Sequence, residues 1–239
     1  MRDGSQCGYV WSRLAGIGRA CGANVWQRSS YITGLAALIL LANGSAAQAW
    51  SKWELPQDVL GTSNQISFNQ AAKGVWYFMQ SSSLNHDPST YSFLPDFANP
   101  CQGSAANAVQ CWQNLQGDIG SPKVIVNPSD KQDVFYPPSS FAIAPRNSAL
   151  GIVAWRSPIT GTVMISGVYT ALEVPCSNGL IWSVDKEGTI LKKGKLITGS
   201  ASFNVQSNIK SGDVIYFTID PDGSQDCDTT GLKVQIKRL

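Results

Sequence analysis

Four carboxylates fall within nine residues in the run Asp220-Pro-Asp222-Gly-Ser-Gln-Asp226-Cys-Asp228. Calcium takes roughly six to eight oxygen ligands from side chains and carbonyls, and acidic turns supply them. Asp220, Asp222, Asp226 and Asp228 are therefore the candidate calcium ligands, with Ser177 and Asn178 in reach if Cys227 pairs with Cys176. The spacing departs from an EF-hand, because no Glu closes the loop near Thr230-Gly231-Leu232. The same residues also suit a solvated Pro-Asp-Gly turn in which Asp228 caps backbone amides.

The second chemical resource is aromatic. Exposed Trp or Tyr rings can cover the apolar face of a pyranose, whereas strand aromatics of a β-protein mostly pack inside. Trp155, Trp182 and Phe217 are assigned to the core. Tyr91, Trp112 and Tyr136 lie in apparent loops and are the candidate exposed platforms for a ligand.

Catalysis finds little support. His86 is the single histidine of the chain, in the polar run Leu84-Asn-His-Asp-Pro88. A Ser/His/Asp set would have to run through it, and no nucleophile-elbow motif accompanies it. A glycosidase needs two placed carboxylates. Glu54, Glu173 and Glu187 are the only glutamates, and Glu187 falls in an apparent hairpin turn. No P-loop or dinucleotide fingerprint is present. A small hydrolase with an unfamiliar site is thus the third-ranked reading.

These groups must work outside the cytoplasm. Arg28 precedes the apolar run Gly34-Leu-Ala-Ala-Leu-Ile-Leu-Leu-Ala42, and Ala47-Gln-Ala49 puts small residues where a signal peptidase cuts, before Trp50. The run is too short to span a bilayer, which takes about 20 apolar residues. Residues 1–49 are read as leader and signal peptide. A start at Val25 gives a signal of ordinary length; a long segment ahead of the apolar run is the competing reading. Residues 50–239 are read as one exported domain, periplasmic or extracellular, with no integral membrane span.

The charge of the exported part is close to balanced, with 14 Lys and Arg against 15 Asp and Glu. That gives no reason to expect nucleic acid or an anionic membrane as partner. Its cysteines are Cys101, Cys111, Cys176 and Cys227, an even number that reads as two disulfides in an oxidising compartment. Of three possible pairings, Cys101–Cys111 closes a short local loop and leaves Cys176–Cys227. A four-cysteine zinc site lacks the close CxxC spacing it needs.

Strand signals dominate the second half. Gly151–Arg156 is a compact β-rich run, and Thr162–Tyr169 alternates. Leu180, Trp182 and Val184 share a face before the turn Asp185-Lys-Glu-Gly188. A strand starting at Ile190-Leu191 is expected to stop at Lys192-Lys-Gly194, and Ala201–Val205 is expected to be short. Val214–Ile219 is nearly all apolar, as when both faces are covered. Leu232, Val234 and Ile236 alternate with Lys233, Gln235 and Lys237. Earlier, Gln65–Phe68, Val75–Met79 and Lys123–Asn127 read as strands between long polar loops. Ala105–Gln116 reads either as a short helix or as a cysteine-pinned loop with one helical turn. The expected class is all-β: an antiparallel sandwich or barrel with long loops in its N-terminal half.

Three segments carry a family resemblance. Val153-Ala-Trp-Arg-Ser-Pro-Ile-Thr-Gly-Thr-Val-Met-Ile-Ser-Gly167 resembles the "rW.sP.aGtv.isG" segment of secreted bacterial jelly-roll modules that look like carbohydrate-binding domains. Asn178-Gly-Leu-Ile-Trp-Ser-Val-Asp185 resembles their "nGv.w.vd" strand. Gly212–Gly223 with Cys227-Asp-Thr-Thr-Gly-Leu232 resembles their closing "GD.iyF.vdpng…cDstGl" segment. The match covers residues 145–239 and is more specific for fold than for ligand. It implies a jelly-roll sandwich and a glycan, cell-envelope or matrix component as partner. A structural or adhesive protein that self-assembles through its sheet edges is the alternative.

Overall fold

The computed structural model describes residues 52–60, 74–102, 108–116, 121–133, 135–173 and 176–239. The signal segment, the cut before Trp50 and the expected strand Gln65–Phe68 lie outside these residues. All the described residues belong to one unit, Ala46–Leu239.

Two antiparallel sheets make up the described domain, as expected from the sequence. The C-terminal strands are β7 (Ser140–Ala144), β8 (Gly151–Arg156), β9 (Gly161–Ala171), β10 (Leu180–Lys186), β11 (Thr189–Leu196), β12 (Ser200–Ile209), β13 (Val214–Asp220) and β14 (Thr230–Arg238). Within one sheet they lie in the order β12-β9-β14-β7, and within the other β11-β10-β13-β8. Apart from the β10–β11 hairpin, the chain changes sheet at every step through these strands, which is the double Greek key of a jelly roll. The N-terminal strands extend this frame sideways. β6 (Lys123–Asn127), β5 (Gln110–Gln113) and β4 (Asp96–Ala98) continue the first sheet beyond β7, and β1 (Lys52–Leu55) pairs with β14. β2 (Trp76–Ser81) and β3 (Tyr91–Phe93) continue the second beyond β8, giving a six-stranded sheet.

Period-two alternation decides which side chains meet between the sheets. Leu232, Val234 and Ile236 of β14 point inward with Val163 and Ile165 of β9. From the other sheet come Trp76 and Phe78, Val153 and Trp155, and Ile215, Phe217 and Ile219. Aromatic pairs bridge the layers: Phe78–Phe141 at 5.9 Å, Phe203–Phe217 at 6.0 Å, and Tyr169 stacked on Trp182 at 5.2 Å. The Tyr169 hydroxyl donates to the Ser183 carbonyl at 2.8 Å, so this wholly buried phenol has its polar end satisfied. Each such side chain contributes on the order of 1.5–3 kcal/mol by leaving water.

Three expectations are corrected. β11 runs on through Lys192-Lys193-Gly194 to Leu196. Gly194 does not end it: a Cβ there would lie 2.7 Å from the Trp182 ring, so the glycine makes room for the indole on the paired strand. β12 is ten residues long, because Ser200, Ser202, Asn204, Gln206 and Asn208 lie on one face while the backbone pairs with β9 throughout. Gln110–Gln113 is a strand, neither helix nor loop, held between β4 and β6.

Both expected disulfides form. Cys101–Cys111 pins the β4–β5 connection, and Cys176–Cys227 ties the β9–β10 loop to the β13–β14 loop.

Candidate functional site

The outer face of the six-stranded sheet carries an uncovered aromatic trough. It is built by alternation in three neighbouring strands. Trp76 and Phe78 of β2 point into the core, so Tyr77 and Met79 point out. Trp155 of β8 points in, so Ala154 and Arg156 point out. Phe217 of β13 points in, so Tyr216 points out. Strand register lines up Tyr77, Ala154, Tyr216 and Asp185 as one row across the sheet. The small Ala154 between two tyrosines leaves a dip. Phe93 stacks on Tyr77 at 5.8 Å and 20° between planes, and Tyr91 meets Tyr216 edge-on at 5.0 Å. The result is an open depression of about 350 Å³ lined by Tyr77, Met79, Phe93, Ala154, Arg156, Gly212, Val214 and Tyr216. Phe93 leaves 56% of its surface in water.

A polar segment closes the rest of this face. Within residues 82–91, Leu84 and Tyr91 pack against the outer-face cluster of Leu150, Ile152, Ala154 and Tyr216. Asp87 caps the single 3-10 turn Pro88–Thr90 by accepting the Ser89 N–H at 2.9 Å. Beneath the segment, His86 Nδ1 lies 2.6 Å from Asp185 Oδ2, a carboxylate that is 1% exposed. The bond to Asp185 raises the His86 pKa against the opposing effect of burial. Burial, with the Asp185 charge second, pushes the Tyr91 phenol up, and its hydroxyl and Asp185 Oδ1 are buried without hydrogen-bond partners.

This cluster is a Ser/His/Asp set by composition but not by geometry. Ser183 Oγ lies 3.5 Å from Nδ1, the same nitrogen that meets Asp185. A relay needs the serine on one ring nitrogen and the carboxylate on the other. Ser183 is also wholly buried and holds Thr218 Oγ1 at 2.7 Å.

The other expected site residues fall elsewhere. Trp112 is 8% exposed and packs edge-on against Phe97 at 5.6 Å, so it is not an exposed platform. The cause is the strand at Gln110–Gln113, whose alternation turns Cys111 and Gln113 outward and Trp112 into the core. Tyr136 is 9% exposed, in a small second core with Cys101, Cys111 and Ile125 on the outer side of the other sheet. Burial raises its phenol pKa. Tyr91 does not line the trough either, but of the three it alone touches a residue that does, Tyr216.

The acidic loop does not gather on one point. Asp220 accepts the Asp222 N–H at 2.9 Å, Asp222 pairs with Lys195, and Asp226 accepts the Ser224 hydroxyl at 3.1 Å. Asp228 accepts the Ser177 hydroxyl at 2.8 Å. Among the described residues no three His, Cys, Asp or Glu side chains converge as a metal would require.

Tyr77, Phe93, Tyr216 and Arg156 are the site residues that sequence reading missed. Alternation through Trp76-Tyr77-Phe78 carries the signal for Tyr77, since two buried neighbours force it out. Tyr216 sits in an apolar run with no visible face, and the short β3 that positions Phe93 has no periodicity to find.

No family model and no curated protein matches the chain. Among solved structures it is similar to a family 35 carbohydrate binding module from Clostridium thermocellum, at 15% identity over 42% of this chain and 79% of that one, with a TM-score of 0.30. It is similar to the CBM22-1 xylan-binding domain of Paenibacillus barcinonensis Xyn10C, at 10% identity over 66% and 92% of the two chains, TM-score 0.28. Murine APRIL gives 13% identity over 68% and 98%, TM-score 0.27. Two of these are carbohydrate-binding modules.

Proposed function

We propose that this is an exported carbohydrate-binding domain that holds a glycan on the outer face of its six-stranded sheet. The observation that carries the reading is the trough between Tyr77, Phe93 and Tyr216 over Ala154. A ring as exposed as Phe93, stacked on a tyrosine at the rim of an open dip, is the arrangement that an apolar sugar face fits. The two disulfides support an oxidising compartment, in the periplasm or outside the cell, where envelope and matrix glycans are met. The relay geometry that hydrolysis through His86 would need is not formed, which favours holding over cleaving.

The test is affinity electrophoresis and calorimetry against a panel of soluble polysaccharides. Wild-type protein is retarded by at least one polymer, and Tyr77→Ala weakens that binding by roughly tenfold or more, as for a central aromatic contact. Its melting temperature stays close to wild type, because Tyr77 is only half-buried. Retention unchanged in Tyr77→Ala and Phe93→Ala overturns the trough as the site.

A further inference from the structure

We infer that the trough is selective for a glycan bearing carboxylates, a uronate-containing polysaccharide, and that Arg156 is the residue that sets this selectivity. The inference rests on the glycan reading above and names the substrate class of that same site.

Arg156 ends β8 on the outer face and is exposed. Its guanidinium reaches across to the β12–β13 turn, where Nη2 lies 4.0 Å from the position a Cβ on Gly212 would take. There it stands between two depressions. One is the aromatic trough; the other, of about 240 Å³, is lined by Gly74, Val75, Tyr77, Ser157, Pro158 and Ser211 together with Arg156 and Gly212. Tyr77 borders both. Tyr77, Arg156 and Gly212 thus flank both dips, and Arg156 is the one cation in either lining.

No carboxylate lines either depression. The nearby acid Asp213 accepts the Lys210 N–H at 2.9 Å and pairs with Lys186 at 2.9 Å. Glu187 acts on Tyr216, whose phenol is raised by burial first and by that charge second. The Arg156 side chain has no ion pair or hydrogen bond within the described residues. An unpaired guanidinium beside stacking rings, with no acid in the lining, is complementary to a ligand that is apolar on its face and negative at its edge. The planar fork of arginine matches a carboxylate through two parallel N–H···O bonds. A lone fork suits one carboxylate on a stacked sugar better than the dense charge of a sulfated chain, which calls for a cluster of cations.

The experiment compares polygalacturonate, alginate and glucuronoxylan with the same polymers after methyl esterification or carboxyl reduction, and with dextran sulfate and neutral xylan. Wild type binds at least one uronate polymer, and neutralising the carboxylates weakens that binding by roughly tenfold or more. Arg156→Gln removes this preference and the sensitivity to added salt. Arg156→Lys keeps the charge without the fork and gives an intermediate loss. Circular dichroism confirms that both variants fold, as an exposed position allows. Equal binding to charged and neutral polymers, or an unchanged preference in Arg156→Gln, overturns the inference while leaving the glycan reading standing. Tighter binding to dextran sulfate than to every uronate overturns the carboxylate assignment. Binding to no polymer overturns both.

Discussion

Asp228 is 1% exposed, with one carboxylate oxygen on the Ser177 hydroxyl and the other buried without a partner. Burial, reinforced by Glu173, Asp226 and Asp222, pushes its pKa up to about 7. The folded state therefore binds this proton more tightly than the unfolded chain does. Its favourable contribution is complete below the ordinary aspartate range and is lost as pH rises from about 4 to about 7. Asp228→Asn removes the cost of burying the charge. The variant is expected to be more stable than wild type at pH 8 by roughly 1–3 kcal/mol and to show no advantage at pH 4. Thermal unfolding at the two pH values checks this, and an equal gain at both contradicts it. The sequence showed the acids of this loop but not their fate. Spacing brings Asp220, Asp222, Asp226 and Asp228 close along the chain, whereas Lys195 and Ser177, which engage two of them, arrive from other strands and loops. The site aromatics divide in the same way. The signal for Tyr77 lies in its two buried neighbours, whereas the four-residue strand that carries Cys111 and Trp112 shows no period, so Trp112 reads as a loop residue.

At the scale of elements, His86 fastens the 82–91 segment to a buried carboxylate of the sheet beneath it. His86 reaches Asp185 across a sequence separation of 99 residues, so the contact is tertiary and invisible to local reading. The pKa of His86 is raised, so the protonated pair stabilises the segment fully below the usual histidine value near 6.5. The contribution fades as pH rises through the higher folded value. His86→Gln should cost about 1 kcal/mol at pH 5.5 and little at pH 8.5. Limited proteolysis within 82–91 reports it: cleavage quickens in the variant at acid pH, and equal cleavage rates at pH 5.5 would contradict the contact's role. The strands themselves were largely readable where alternation or apolar runs were strong, as in β8, β10, β13 and β14. In β11, Lys192-Lys-Gly194 reads as a strand end, although that glycine makes room for Trp182. The lateral strands β3, β4 and β5 were not readable, because they are too short to show a period.

At the scale of the whole molecule, the Cys176–Cys227 bridge has the larger effect of the two, since it closes a 51-residue separation against 10 for Cys101–Cys111. Loop-closure entropy gives it about 4 kcal/mol of stabilisation. In Cys176→Ser/Cys227→Ser the melting temperature should fall by roughly 10 °C, while opening Cys101–Cys111 by the same double substitution costs less. The reverse order would contradict the loop-length argument. The covalent scheme was legible in the sequence by count and spacing, and the double Greek key by the resemblance of residues 145–239. β2 and β6 read as strands in the sequence, but their place beside β8 and β7, with β3, β4 and β5 beyond them, came only with the structure, and this lateral extension supplies Tyr77 and Phe93.

The layering has a practical side. β1 and β14, the outermost described strands in chain order, both lie in the eight-stranded sheet, whereas the trough opens on the far side of the other one. A bead, dye or reporter fused beyond Arg238 would leave from the eight-stranded sheet and not from the sheet that carries the aromatic surface, so immobilised protein offers a direct way to probe that surface.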